Sequence, residues 1–178
     1  YSRNNVSDDY TSTKLHSVPQ INDLDQNPRL YRDIYPYYFL TPIEINEPFT
    51  GNFQFDNKEY TNLHEKNFQL FPNLLYGGSW NRSFFLNNKN HHLIYIVDHL
   101  NVNFKKEVTF RFFVPQTVIN SKNISFKFYK NDNIVEYKIS ETLCNDSYGE
   151  VNKAYLFEIY SESSLNHKLV TKIEINNE

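Results

Sequence analysis

The chain has 178 residues, a formal net charge of −3 and an aromatic content of 17%. This length suits one domain, or one domain with an appendage, and it allows a substantial core. The aromatic content excludes a disordered chain. The densest basic pair is Lys105-Lys106, so no long basic run favours nucleic acid as a partner. The longest wholly apolar run, 93–97, is far shorter than a membrane span.

The composition favours β-structure over helix. Ala154 is the single alanine, whereas the chain contains 25 asparagines. Alanine is the best helix former, and asparagine competes with helix formation through bonds to its own backbone. The abundant Tyr, Phe and Ile residues fit a pleated surface. We therefore predict an all-β fold.

The first 48 residues differ from the rest of the chain. Residues 1–26 show neither a helical nor a strand period, and we predict an extended arm that a partner surface orders. Asn27-Pro28 is typical of a helix start, and Pro36 ends that helix after one or two turns. The apolar stretch after Tyr35 contains two prolines, which predicts an edge strand or a strap. The predicted domains are thus an arm over 1–48 and a β-sandwich over 49–178.

After residue 49, apolar and polar residues alternate with a period of two, as in half-buried strands. Residues 92–98 are apolar on both faces, which predicts a central strand. Alternate residues from Val108 to Val114 share one apolar face. The predicted strands cover 53–55, 68–71, 82–86, 92–98, 107–114, 124–129, 134–140, 154–160 and 169–175.

Two polar stretches are predicted to be hairpin connections. KNDN at 130–133 has turn chemistry and would join 124–129 to 134–140. SESSLNHK at 161–168 would join 154–160 to 169–175. Because no helix separates these strands, we predict an antiparallel sandwich of about seven to nine strands, immunoglobulin-like or jelly-roll in topology.

The residues give little support for catalysis or metal binding. His92 and His99 are seven apart on a strand, so their side chains lie on opposite faces and do not share a metal. Ser79, Asp98 and either His91 or His99 could be combined into a triad, but the motif that accompanies a nucleophilic serine is missing. We therefore predict a protein that is not an enzyme and has no cofactor or metal.

Tyr76-Gly77-Gly78-Ser79-Trp80 is the most informative short motif. Adjacent glycines indicate a sharp bend or a close approach of the backbone. Tyr76 and Trp80 could form an aromatic platform for sugar rings, which predicts a carbohydrate-binding or adhesin module. The alternative is that Trp80 begins the next strand and fills the end of the core.

The leading functional hypothesis rests on the arm. Its aromatic and branched residues are typical of interface anchors, and an extended segment can pair with the edge of a neighbouring sheet. The predicted interface residues are Tyr35, Tyr37, Tyr38, Phe39, Ile43 and Ile45. They predict a structural subunit of a filament, coat or shell that assembles with its own copies or with other surface proteins.

The expected compartment is extracytoplasmic, either secreted or at a cell or virion surface. The chain begins at Tyr1 and contains no methionine, for which removal of a signal peptide is the simplest explanation. Cys144 is the single cysteine, and we expect it to be a small, half-buried apolar residue.

Overall fold

The computed structural model describes residues 17, 19–22, 43–44, 52–55, 58–70, 78–87, 90–147 and 150–176. The strands are β1 (Pro19–Ile21), β2 (Ile43–Glu44), β3 (Asn52–Phe55), β4 (Lys58–Leu70), β5 (Gly78–Asn87), β6 (Asn90–Pro115), β7 (Ile124–Lys130), β8 (Asn133–Ile134), β9 (Lys138–Ser147) and β10 (Glu150–Ile175). The helix α1 is Gln116–Asn120.

These strands form one antiparallel sheet around two unusually long members. β6 and β10 each have 26 residues and pair from Leu93–Glu174 to Pro115–Ala154. The strand order is β2-β4-β5-β6-β10-β7-β8, with β3 beside β4. The all-β, antiparallel prediction is confirmed. The sheet is open, so its closure into a sandwich stays a prediction.

The neighbours of the central pair change halfway along it. In the first half, residues 90–102 of β6 lie beside β5, and residues 170–175 of β10 lie beside β7. In the second half, β1 pairs with 108–110 and β9 pairs with 150–158. The β6–β10 register shifts twice between the halves. We call residues 103–107 of β6 and 162–165 of β10 the bulge region.

The second predicted hairpin is therefore wrong. SESSLNHK at 161–168 lies within the uninterrupted strand β10, and the segments 92–98 and 107–114 likewise belong to the single strand β6. SESSLNHK has the polarity of a turn but contains neither glycine nor proline. The hydroxyl of Ser161 instead bonds to the His167 ring, and this local bond occupies polar groups inside a bulged strand.

The main core confirms the predicted alternation along β6. Every second residue from Val108 to Val114 is buried on one face. The rings of Phe126 and Phe128 on β7 lie 5.5 and 5.8 Å from that of Phe157, which belongs to the second half of the β6–β10 pair. The first half therefore packs through β7 onto the second half.

A smaller cluster covers the other face of the first half. It consists of Phe85, Tyr95, Val97 and Val170, and Phe55 from β3 packs on it. The Phe55 ring lies 5.2 Å from that of Tyr95. Residues 93–98 are thus central in the sheet, and their side chains are buried or half-buried on both faces, as predicted, whereas His92 is exposed.

The first predicted hairpin is confirmed, but the strand after it is shorter than predicted. Asn131 and Asp132 both have positive φ, 50° and 63°, which suits a two-residue turn between β7 and β8. The prediction of one strand over 134–140 is wrong, because β8 ends at Ile134. The backbone then leaves β7, and β9 pairs with β10 instead.

Part of the predicted arm belongs to the sheet of its own chain. β1 pairs with β6 and is buried, and the Phe113 amide donates to the Ser17 hydroxyl at 2.8 Å. The expectation that a partner orders all of residues 1–26 is therefore wrong for 17 and 19–22. Ile43 lies on β2, which pairs with β4. The predicted helix and the interface residues Tyr35, Tyr37, Tyr38, Phe39 and Ile45 lie outside the described residues.

Candidate functional site

A polar cleft of about 380 Å³ lies at the bulge region. Three strands supply its walls. Its lining residues are Asn22, Lys105, Lys106, Glu107, Thr109, Tyr160 and Ser163. Two lysines, one glutamate, an aromatic residue and several neutral polar residues thus share one concave surface.

Two consecutive lysines line this cleft where the register of β6 is broken. On a regular strand, adjacent side chains point to opposite faces. Lys105 and Lys106 are adjacent, yet both line the cleft. Only Lys106 of the two has a partner in the β6–β10 register, Ser164, and that pairing lies between the register shifts. The irregular backbone therefore lets consecutive residues contribute to one surface.

The end of β1 is anchored at this cleft by two hydrogen bonds. The Asn22 amide donates to the Glu107 carbonyl at 2.9 Å, and the Glu107 amide donates to Asn22 Oδ1 at 3.2 Å. Asn22 has φ of 49°, a left-handed conformation that asparagine tolerates better than most residues. This wall of the cleft is thus fixed by the backbone of β6.

Exposed apolar side chains accompany the lysines. Tyr160 lines the cleft and is 55% exposed. Phe104, next to Lys105 in the chain, and Leu165, within the bulge region, are also exposed. An aromatic ring packs on the C–H face of a sugar, and an ammonium group binds a carboxylate or sulfate. The cleft has both chemistries.

Trp80, proposed for a sugar platform, lies in the core. Its side chain is 5% exposed, and its indole N–H donates to Asp98 Oδ1 at 2.8 Å. The Arg82 guanidinium stacks 4.9 Å from the ring centre. This placement agrees with the alternative that Trp80 fills the core, and a sugar-stacking role would need the ring to become exposed. Tyr76 lies outside the described residues.

Gly78 shows the close backbone approach that the adjacent glycines predict. A Cβ at this position would collide with the carbonyl oxygen of Asn101 on β6. The glycine therefore lets β5 come near enough to pair with β6 at Val102. Its role is structural, because the space is filled by backbone and not by a ligand.

The residues considered for a triad do not form one. Asp98 is fully buried and binds Trp80 and Arg82, with Arg82 Nε at 2.7 Å from Oδ1. The Ser79 hydroxyl accepts from the Asn101 side chain at 3.4 Å. Within the described ranges, no three His, Cys, Asp or Glu side chains group as metal ligands. No helix in those same ranges is long and apolar enough to cross a membrane.

Lys105-Lys106 stands out in the sequence as the densest basic pair, but no role was predicted for it, and Asn22 and Tyr160 were not among the predicted site residues. The position of this pair opposite SESSLNHK depends on the β6–β10 register, which the sequence does not state.

The fold resembles part of a larger enzyme of known structure. Two crystal structures of heparan sulfate lyase HepC from Pedobacter heparinus, one of them a mutant, match all of this chain with 14% identity. The TM-scores are 0.58 and, for the mutant, 0.57, and the chain covers 27% of each lyase chain. At this identity the likeness concerns the fold alone. No protein-family model and no curated protein matches the chain.

Proposed function

We propose that this chain is a carbohydrate-binding β-domain that holds an acidic polysaccharide in the bulge-region cleft. The observation that carries the proposal is the meeting of Lys105, Lys106 and the exposed ring of Tyr160 in one cleft. The shared fold with part of a heparan sulfate lyase supports it, because the substrate in that protein's name is an anionic polysaccharide.

The lining residues divide the recognition between charge and shape. Lys105 and Lys106 bind the anionic groups, and the Tyr160 ring packs on an apolar sugar face. The side chains of Asn22 and Thr109 bond to sugar hydroxyls. Glu107 also lines the cleft. Its carboxylate accepts hydrogen bonds and repels anions, so it binds a sugar hydroxyl and not a sulfate group.

The charge contribution to affinity is modest. An ion pair between exposed groups contributes about 0.2–1 kcal/mol, so two lysines together change affinity by about twofold to thirtyfold. Salt screens such exposed charges, and binding should weaken as ionic strength rises.

The test is calorimetric titration with heparan sulfate oligosaccharides, with an uncharged glucan oligosaccharide as the control ligand. The double variant K105A/K106A should lose about tenfold in affinity for the sulfated ligand. The matched control is K127A/K153A, which removes the same charge at exposed positions outside the cleft lining. Tyr160→Ala should also weaken binding, whereas Tyr160→Phe keeps the ring and most of the affinity.

Two results would contradict the proposal. One is the absence of binding by the intact protein at low ionic strength. The other is equal loss of affinity in K105A/K106A and K127A/K153A, which would assign the attraction to overall charge and not to the cleft.

The proposal is one of binding without a catalytic step, in an extracytoplasmic compartment where such polysaccharides occur. It also includes closure of the bent sheet into two packed layers, which the contacts of Phe126 and Phe128 with Phe157 support. Assembly through the arm stays a separate prediction. Because β1 belongs to the sheet, deletion of the whole arm would remove a core strand. Light scattering of a variant with Tyr37, Tyr38 and Phe39 each replaced by serine tests the predicted interface and leaves β1 in place.

A further inference from the structure

His167 is a buried histidine that spans the bulge of β10. It is 3% exposed, and its Nδ1 lies 2.8 Å from the Ser161 hydroxyl. Its Nε2 lies 3.2 Å from the Ser164 carbonyl oxygen. A carbonyl only accepts, so Nε2 carries the proton and Nδ1 accepts from Ser161. Both nitrogens of the neutral ring are thus satisfied.

These bonds connect the ring to the cleft. Ser161 pairs with Val108 and Ser164 pairs with Lys106, so the two partners of the ring lie at the two register shifts. Ser163, a lining residue, lies between them in the chain. The ring therefore holds the bulged segment of β10, residues 162–165, beside the cleft.

Charge at this ring is unfavourable. Burial lowers the pKa of His167 below its ordinary value, and the Lys130 cation on β7 lowers it further. Backbone hydrogen bonding at Ser164 and Lys106 acts in the opposite direction. Lys168 follows His167 on β10, and His99 flanks the residue on β6 that pairs with it, Leu100, so both lie on neighbouring positions of the two strands. Burial also lowers the pKa of His99, which favours its neutral ring.

We propose that His167 is a positioning residue for the cleft, because its neutral ring holds the bulge in its binding shape. Protonation turns Nδ1 into a donor and leaves the O–H of the buried Ser161 without its acceptor, which loosens the bulge and weakens glycan binding. This inference rests on the proposed function. It also runs against simple electrostatics, because a new positive charge near the site would by itself strengthen the binding of an anion. A loss of affinity at low pH therefore indicates loosening of the bulge, whereas a gain in affinity indicates simple electrostatic attraction.

The experiment measures the affinity for a heparan sulfate oligosaccharide between pH 8 and pH 5, where the sulfate charge is constant. The intact protein should lose about fivefold in affinity as the ring becomes charged. His167→Gln keeps a donor and an acceptor but does not titrate, so its affinity should stay constant. The matched control His99→Gln should keep the pH dependence of the intact protein.

Parallel pH profiles for the intact protein and His167→Gln would overturn the inference while leaving the proposed function in place. If the oligosaccharide binds at no pH, the proposed function fails, and NMR still tests the positioning role. The amide resonances of Lys106 and Ser164 should shift with the same midpoint as the His167 ring. Amides that do not respond to the ring titration would overturn the inference.

Discussion

β6 carries two polar regions, and they differ in nearly every physical respect. Asp98 and its partners lie where β6 is regular and covered on both faces, and every charge there is paired. Seven residues later, Lys105 lies where the register is broken and the surface is open. The charges of the regular part are thus buried against one another, whereas those of the irregular part line an open cleft.

The Asp98 network is also a junction between distant segments. Asp98 accepts from Trp80 and twice from Arg82, and Arg82 Nη1 donates to the Ser17 carbonyl at 2.6 Å. The guanidinium lies 5.0 Å from the ring centre of Phe112. β5, β6 and Ser17 are thus joined through the Asp98–Arg82 pair.

The largest effect is expected from Asp98→Asn. The substitution leaves the mostly buried Arg82 without its counter-charge, and breaking a buried ion pair in this way costs about 3–5 kcal/mol. Urea unfolding followed by Trp80 fluorescence measures the loss. The control is Glu174→Gln, whose pairs with Lys127 and Lys172 are partly exposed and should contribute less than about 1 kcal/mol. Equal losses in the two variants would remove the contrast between the regions.

A smaller effect is expected from Gly78→Ala. The added methyl group meets the Asn101 carbonyl oxygen, and backbone must shift to admit it, at a cost of about 1–3 kcal/mol. Ser79→Ala, at the exposed neighbouring position, should stay within about 0.5 kcal/mol of the intact protein in the same unfolding assay. A Gly78→Ala protein of unchanged stability would show that the β5–β6 pairing has room that the structure does not indicate.

The smallest effect on stability is expected from K105A/K106A. Neither lysine forms part of the buried core, so the free energy of unfolding should change by less than about 0.5 kcal/mol. The same variant should lose about tenfold in glycan affinity. Unchanged stability with weakened binding would separate the cleft most clearly from the Asp98 network. A large loss of stability would instead mean that the lysines hold the bulge region together.

Local patterns predicted the parts of the fold that depend on local physics. The apolar face from Val108 to Val114 follows from side-chain alternation, and the β7–β8 turn follows from residues that tolerate positive φ. SESSLNHK misled the prediction because hydroxyls and an imidazole bond to one another inside a strand as readily as in a turn. The helix α1 was missed because its five residues are too few to show a period.

The candidate site could not be predicted, because it depends on register and not on any local motif. Lys105 and Tyr160 come from β6 and β10 and Asn22 directly follows β1, and no spacing in the sequence indicates that they meet. The sequence left the place of Trp80 open between platform and core. Burial of the indole requires an acceptor for its N–H inside the core, and Asp98, 18 positions away, provides that acceptor.

The pairing of β1 with β6 has a consequence for folding during translation. Ser17 is synthesised early, yet the amide of Phe113 that bonds to it comes 96 positions later. At ordinary translation speeds this interval lasts roughly 5–20 s. During that time Ile21 and the backbone amide and carbonyl groups of β1 have no β6 strand with which to pair. Chaperone occupancy should therefore be greatest in this interval and should end when the second half of β6 emerges.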